Sequence, residues 1–205
     1  MAKLFYFDLE TTGVKHWKNG IHQISGAIEI DGEIKEYFDF KVQPYHAAII
    51  EKEALDIAGI IESDLLTYMP FKECYLAICK LLAKYVDKFD KKDKFFLVGY
   101  NNAGFDNSFF RAFFVQNMDN YFGSYFWSSH IDAMVLAGQH LMDIRPTMID
   151  FKQSTVAKTL GIEVDESRPP RIEEGCDGLL PLARADVHVG FAEPRTDGCE
   201  VLEVE

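Results

Sequence analysis

The chain has 205 residues, 48% of them apolar, and a formal net charge of −12 at pH 7. This length suits one α/β domain with a real core, and the acidic balance argues against extensive binding to duplex nucleic acid, which favours a basic protein face. No apolar run approaches the ~20 residues that span a bilayer. The first residues do not read as a signal peptide, and the four cysteines fit no C-x-x-C pattern. We therefore expect a cytoplasmic protein with reduced thiols and no membrane partner.

The first predicted strand is the apolar run 4–7, and it ends in the acidic pair Asp8 and Glu10. Side chains alternate along a strand, so these two carboxylates point to the same face. Their repulsion is relieved by a proton or by a bound cation, and Mg²⁺ or Mn²⁺ prefers such hard oxygen ligands. Thr11 and Thr12 follow in a predicted turn, with their hydroxyls at the same mouth. On spacing alone, a solvated strand end remains the alternative interpretation.

Residues 22–30 and 33–42 predict two further strands, joined by Asp31 and Gly32. An Asp-Gly pair between β-rich runs is a strong hairpin signal, so the first three strands are expected to form an antiparallel meander. The preceding polar loop holds His16 and Trp17, which are either exposed loop residues or substrate contacts.

The pattern becomes helical after residue 44. Apolar residues at helical spacing predict a helix over 71–86, with Pro70 at its start, and residues 88–94 form a charged, solvated loop. The short apolar run 95–100 has the length of a buried strand.

A loop and a helix follow this strand, and Asp106 lies in the first helical turn, where the helix dipole favours a negative charge. An Asp in that position is otherwise a helix cap. Phe109 lies one turn further and is either a core residue or a platform for a terminal base. Asp132 is expected to cap the next helix, and Gly161 to end the one after it.

The aromatic segment 121–127 has three open interpretations. It is part of the core, a wall of the substrate site, or the surface of a homodimer.

Two motifs resemble those of the DnaQ-like (DEDD) 3′–5′ exonucleases. The string F-D-L-E-T-T-G at residues 7–13 is similar to the first motif, and Asn102 and Asp106 within N-N-A-G-F-D match the second. The resemblance implies a ribonuclease H-like α/β fold, in which a mixed central sheet of an antiparallel three-strand meander plus parallel strands is flanked by helices. It also implies hydrolysis of terminal phosphodiesters from the 3′ end of single-stranded DNA or RNA to 5′-monophosphates, alone or beside a DNA polymerase.

The resemblance assigns roles to individual residues. Asp8, Glu10 and Asp106 would hold two Mg²⁺ or Mn²⁺ ions and act in catalysis, and Glu10 would also orient the attacking water. The expected substrate contacts are Thr11, Thr12, Asn102 and Phe109.

The third motif of the family has no match. Its members carry a His five residues, or a Tyr four residues, before a final metal-binding Asp, whereas Asp186 follows Pro181 and Leu182 at those distances. Asp186 is thus only a weak candidate for the fourth carboxylate, and no residue matches the family's general base. A catalytically impaired nucleic-acid-binding remnant is therefore the competing hypothesis.

Composition divides the chain after residue 167. Residues 168–205 contain no lysine and one aromatic residue, against 15 and 27 before them. We predict an exonuclease domain over 1–167 and an atypical tail over 168–205, which is either a disordered linker or the product of a reading-frame change. A shift of one base at Arg168 permits a string that contains His-x-x-x-x-Asp.

Overall fold

A computed structural model describes residues 2–162 of the chain. They form a five-stranded sheet in the order β3-β2-β1-β4-β5, with helices on both faces. The strands are β1 (Lys3–Thr11), β2 (Ile21–Ile30), β3 (Glu33–Lys41), β4 (Phe95–Gly99) and β5 (Phe126–Asp132). The helices are α1 (Lys52–Ala58), α2 (Glu62–Leu65), α3 (Phe71–Leu82), α4 (Asp106–Gln116), α5 (Phe122–Tyr125), α6 (Ala133–His140) and α7 (Gln153–Thr159). Asp186 and the whole tail 168–205 lie outside the described residues.

The predicted antiparallel meander is confirmed. Strand β2 pairs antiparallel with both β1 and β3. Asp31 and Gly32 connect β2 to β3 with φ values of 51° and 86°, and two consecutive positive φ angles are what a type I′ hairpin turn requires. The local sequence therefore sets the register of this half of the sheet.

The other half of the sheet is parallel, because β4 pairs parallel with both β1 and β5. Helix α4 follows β4, as predicted, and it begins at Asp106. Since the carboxyl ends of parallel strands meet at one edge of a sheet, the chain leaves β4 beside the end of β1. This topology determines where the acidic residues of the two motifs lie.

Alternate residues of β1 enter two different cores. Phe5, Phe7 and Leu9 pack with buried aromatic residues of α4 on one face, whereas Tyr6 packs with residues of α6 and α7 on the other. Asp8 and Glu10 continue the row of Tyr6, so they share its face. No helix among residues 2–162 is long and apolar enough to cross a membrane.

The remaining elements agree closely with the predicted pattern. Helix α3 starts after Pro70 but ends at Leu82, one turn before the predicted end, and single turns continue the chain to Val86. Cys74 is a free thiol buried in the core. Gly161 ends α7 with a φ of 71°, the left-handed conformation that favours glycine after a helix.

Candidate active site

Asp8 and Glu10 lie side by side at the end of β1. They pair across the sheet with Ser25 and Gln23 of β2, and both carboxylates are accessible to solvent. Nearby protein atoms still exclude enough water for desolvation to raise the pKa of Asp8. Desolvation also raises the pKa of Glu10, and the charge of Asp8 adds to that effect.

Asp106 joins this pair from the start of α4. Only 8% of its surface is exposed, and the helix has no side-chain cap hydrogen bond, since Phe105 occupies the N-cap position. Burial raises the pKa of Asp106 to about 7, and the negative charges of Asp8, Glu10 and Asp132 contribute to the increase. The three motif carboxylates therefore interact electrostatically, and we call them the acidic cluster.

The acidic cluster has the chemistry of a hard divalent-cation site. Each carboxylate is less stable in its charged form than it would be in water, and a cation between them would remove that penalty. Within residues 2–162, no group of three or more His, Cys, Asp or Glu residues is already arranged as a metal-ligand set. The donors present fit Mg²⁺ or Mn²⁺, and further ligands would come from water, substrate phosphate or other residues.

The hydroxyls of Thr11 and Thr12, at the end of β1, form hydrogen bonds within the protein. The Thr12 hydroxyl is buried, donates to the carbonyl of Ile49 at 2.8 Å and accepts from the amide of Gly20 at 2.9 Å. The Thr11 hydroxyl donates to the carbonyl of Gly13 at 2.8 Å. These two residues thus shape the loop that follows Asp8 and Glu10, and their contact with the substrate stays a prediction.

Asn102 and Phe109 are also buried. Both amide atoms of Asn102 lack a hydrogen-bond partner, although the side chain is fully enclosed beside Gly99. Phe109 is 2% exposed, and its ring centre lies 4.8 Å from that of Phe105 and 6.2 Å from that of His16. Of the two roles left open for Phe109, the structure places it in the core.

Asp132 has a different environment from Asp106. Its carboxylate accepts hydrogen bonds from the backbone amides of Asn101 at 2.8 Å and Met134 at 3.0 Å. The prediction that Asp132 caps a helix is therefore confirmed. The bond from Asn101 also fixes the loop that leads to Asp106.

The aromatic segment 121–127 is divided between two environments. Phe122, Tyr125 and Phe126 are buried in the core, whereas Trp127 lines an open groove beside α4 together with His16 and Trp17. The core interpretation is thus confirmed for these three residues, and the substrate wall stays a prediction for Trp127. Sequence reasoning did not single out the α4 residues of this groove, because a surface stripe on a helix carries no local signal of what lies opposite.

Comparisons with known proteins identify the family and the fold of the chain. A family model described as an exonuclease, RNase_T, matches residues 5–148. No curated protein matches the sequence significantly. A product-bound exonuclease I superposes with a TM-score of 0.68 at 19% identity, covering 90% of this chain and 43% of its own. E. coli exonuclease I in complex with a dT13 oligonucleotide gives a TM-score of 0.66 at 20% identity, covering 91% of this chain and 41% of its own. The complex of the E. coli enzyme with a dA16 oligonucleotide gives a TM-score of 0.66 at 18% identity, covering 92% of this chain and 43% of its own.

The chain therefore spans less than half the length of these solved structures. At such identities the likeness concerns the fold. It identifies the mixed five-stranded sheet as the ribonuclease H-like fold that the motifs implied.

Proposed function

This chain belongs to the RNase_T exonuclease family, in the DnaQ-like group, and on that premise we propose that it is a metal-dependent 3′–5′ exonuclease. The reaction is hydrolysis of the terminal phosphodiester of single-stranded DNA or RNA, with release of a nucleoside 5′-monophosphate. The observation that carries the proposal is the acidic cluster, in which desolvation raises the pKa of all three carboxyls, the charge of Asp8 further raises that of Glu10, and both charges further raise that of Asp106.

The three carboxylates would have different roles in the reaction, according to their positions. Asp8 and Glu10 are accessible and would face the terminal phosphate, while the buried Asp106 would hold a cation from the helix side. Glu10 would also orient the attacking water. Two Mg²⁺ or Mn²⁺ ions held there would supply positive charge at the phosphate and lower the pKa of that water.

Single-stranded substrate is favoured by two independent observations. Structures similar to this chain are complexes of exonuclease I with dT13 and dA16 oligonucleotides. The net charge of −12 disfavours a broad grip on a duplex. The proposal needs neither a polymerase partner nor a homodimer, and no comparison supports either one. The family match at 5–148 lies inside the proposed domain 1–167.

A second candidate function follows from the unmatched third motif. The sequence has no residue in register with the family's general base or fourth carboxylate, and loss of a general base typically costs about 10²–10⁴-fold in rate. The alternative is a catalytically impaired protein that still binds nucleic acid.

A single degradation assay separates the two functions. The full chain is incubated with a 5′-labelled single-stranded oligonucleotide and Mn²⁺, alongside Asp8→Ala, a chelator control and Glu62→Ala, which removes an exposed carboxylate outside the acidic cluster. An exonuclease gives stepwise shortening that Glu62→Ala retains and that Asp8→Ala and chelator abolish. Binding of the oligonucleotide without shortening, by folded wild-type protein, would establish the impaired binding protein instead.

A further inference from the structure

A groove of about 580 Å³ runs along α4, between that helix and the edge strand β5. Its volume lies within the range of about 300–1,000 Å³ that is typical of ligand sites. Asn107 and Ser108 form one wall beside Asp106, and Ser128 and His130 of β5 form the other. The groove therefore begins at the first turn of α4, one residue after Asp106 in the sequence, and follows the helix; we call it the α4 groove.

The charge of the α4 groove is opposite to that of the chain. The sequence contains 33 Asp and Glu residues, but within residues 2–162 no Asp or Glu lines this groove. Arg111 does line it, and the carbon at the centre of its guanidinium group lies 4.5 Å from the centre of the Phe122 ring. A cation–π contact of this kind holds the guanidinium in place. On a protein of net charge −12, this local exception suits an anionic ligand.

The same groove holds both tryptophans of the chain. Trp17 is 69% exposed, and its ring centre lies 5.0 Å from that of His16 in an edge-to-face contact. Trp127 is half-buried, and the Lys94 ammonium lies 5.3 Å from its ring centre. Flat aromatic faces next to cations are the features by which proteins bind unpaired bases and their phosphates.

We infer that the α4 groove binds the unpaired nucleotides on the 5′ side of the scissile bond, with bases stacked on Trp17 and Trp127 and a phosphate paired with Arg111. This inference rests on the proposed exonuclease function. From residue 107 to residue 116, α4 is about 14 Å long, which corresponds to a few stacked nucleotides at about 3.4 Å each. A duplex covers the faces of its bases and cannot stack on these rings.

Intrinsic fluorescence tests the inference directly, because the only two tryptophans lie in the groove. The full chain is titrated with a short oligothymidylate in chelator, which prevents cleavage, while fluorescence anisotropy of a labelled copy measures binding independently. We expect quenching that follows the anisotropy curve, and none on addition of the matching duplex. Saturated binding by anisotropy with unchanged tryptophan emission, or no binding at all, would overturn the inference.

Matched substitutions test the individual contacts. Arg111→Gln should weaken binding about tenfold and reduce the slope of log K against log salt by about 0.7, the value for one phosphate contact on a single strand. Arg145→Gln is the control, since that guanidinium also stacks on a ring, 4.3 Å from the centre of Phe151, but outside the groove lining. Trp17→Ala should weaken binding about tenfold, and Phe89→Ala, at an 84% exposed ring, should not. Equal effects of target and control would overturn the inference.

A small chromogenic substrate separates failure of the groove from failure of the proposed function. The p-nitrophenyl ester of thymidine 5′-monophosphate presents one phosphodiester and no upstream nucleotide. Arg111→Gln should raise KM for an oligonucleotide about tenfold while leaving kcat on the small ester unchanged, and Asp8→Ala should abolish cleavage of both. Wild-type cleavage of both with no effect of Arg111→Gln overturns the groove alone. If the wild type cleaves neither, the proposed function fails, and the binding titration still decides the groove.

Discussion

At the residue scale, two aspartates that start helices at the same edge of the sheet have opposite roles. Asp132 accepts two backbone hydrogen bonds and stabilises the start of α6. Asp106 starts α4 without serving as its cap and is buried against like charges. The sequence identified both as residues at helix starts, but burial and hydrogen-bond partners depend on the fold. A carboxylate that costs stability is consistent with selection for chemistry at that position.

The first prediction concerns how far the buried carboxylate of Asp106 lowers the free energy of unfolding. Burial raises its pKa from 3.8 to about 7, so the folded state retains a proton that the unfolded chain has lost. The free energy of unfolding should therefore fall as pH rises from about 4 to about 7, by up to about 4 kcal/mol. Asp106→Asn should stabilise the metal-free protein by up to that amount above about pH 7 and by little near pH 4, while it abolishes nuclease activity.

Denaturant unfolding in chelator at several pH values measures this effect. Asp132→Ala is the matched control and should destabilise the protein by about 1 kcal/mol, because it removes a cap. If Asp106→Asn were no more stable than wild type above pH 7, the carboxylate would not be as strained as its environment indicates.

At the scale of the elements, local signals predicted what local chemistry determines. The Asp-Gly hairpin, the strand before the first motif and the helix that starts at Asp106 all follow from short stretches of sequence. The hydrogen bond from the Thr12 hydroxyl to Ile49, which lies 37 residues away, has no local signal in the sequence. The α4 groove is formed by a loop, a helix and an edge strand, so no single stretch of sequence predicts it. Contacts between distant segments are the part that one sequence does not reveal.

The second prediction tests how closely β1 and β2 approach each other. A Cβ atom at Gly26 would lie 1.9 Å from the carbonyl oxygen of Tyr6 and 2.6 Å from the Phe38 ring. Backbone cannot move aside cheaply, so Gly26→Ala should destabilise the fold by about 1–3 kcal/mol or more. Because β1 carries Asp8 and Glu10, activity should fall together with stability. Thermal and denaturant unfolding measure the change.

Gly123→Ala provides the control for this substitution. A Cβ atom at Gly123 meets nothing within 4 Å, so this variant should unfold within about 0.5 kcal/mol of wild type. Equal stability of Gly26→Ala and Gly123→Ala would mean that the two strands can separate without cost.

At the scale of the whole molecule, two features of this acidic chain lie close to the start of α4, namely the acidic cluster and the α4 groove. The acidic cluster is suited to cations, and among the described residues no carboxylate lines the α4 groove, which begins one residue after Asp106. Together they would let a negatively charged protein hold a negatively charged strand locally. The first two motifs predicted the cluster because i and i+2 spacing and a strand-loop-helix order suffice to place its members. The fourth carboxylate stays a prediction, since Asp186 lies outside residues 2–162, and no residue of the sequence matches the general base.

The last prediction links the cluster to the stability of the whole protein. Cations that bind the folded cluster and not the unfolded chain stabilise the fold by mass action, by about 2.7 kcal/mol at a hundredfold excess over Kd. For a protein of this size, that raises the unfolding temperature by about 5–10 °C. Mn²⁺ should produce this shift in the wild type, and sodium chloride at equal ionic strength should not.

Two substitutions of equal charge distinguish specific binding from general screening of the −12 net charge. Asp8→Asn removes a member of the cluster and should abolish the shift. Glu62→Gln removes an exposed carboxylate of α2 and should leave it intact, because screening depends on the total charge and binding depends on the site. If both variants kept the full shift, Mn²⁺ would act through the overall charge of the molecule, and the acidic cluster would not bind the metal specifically.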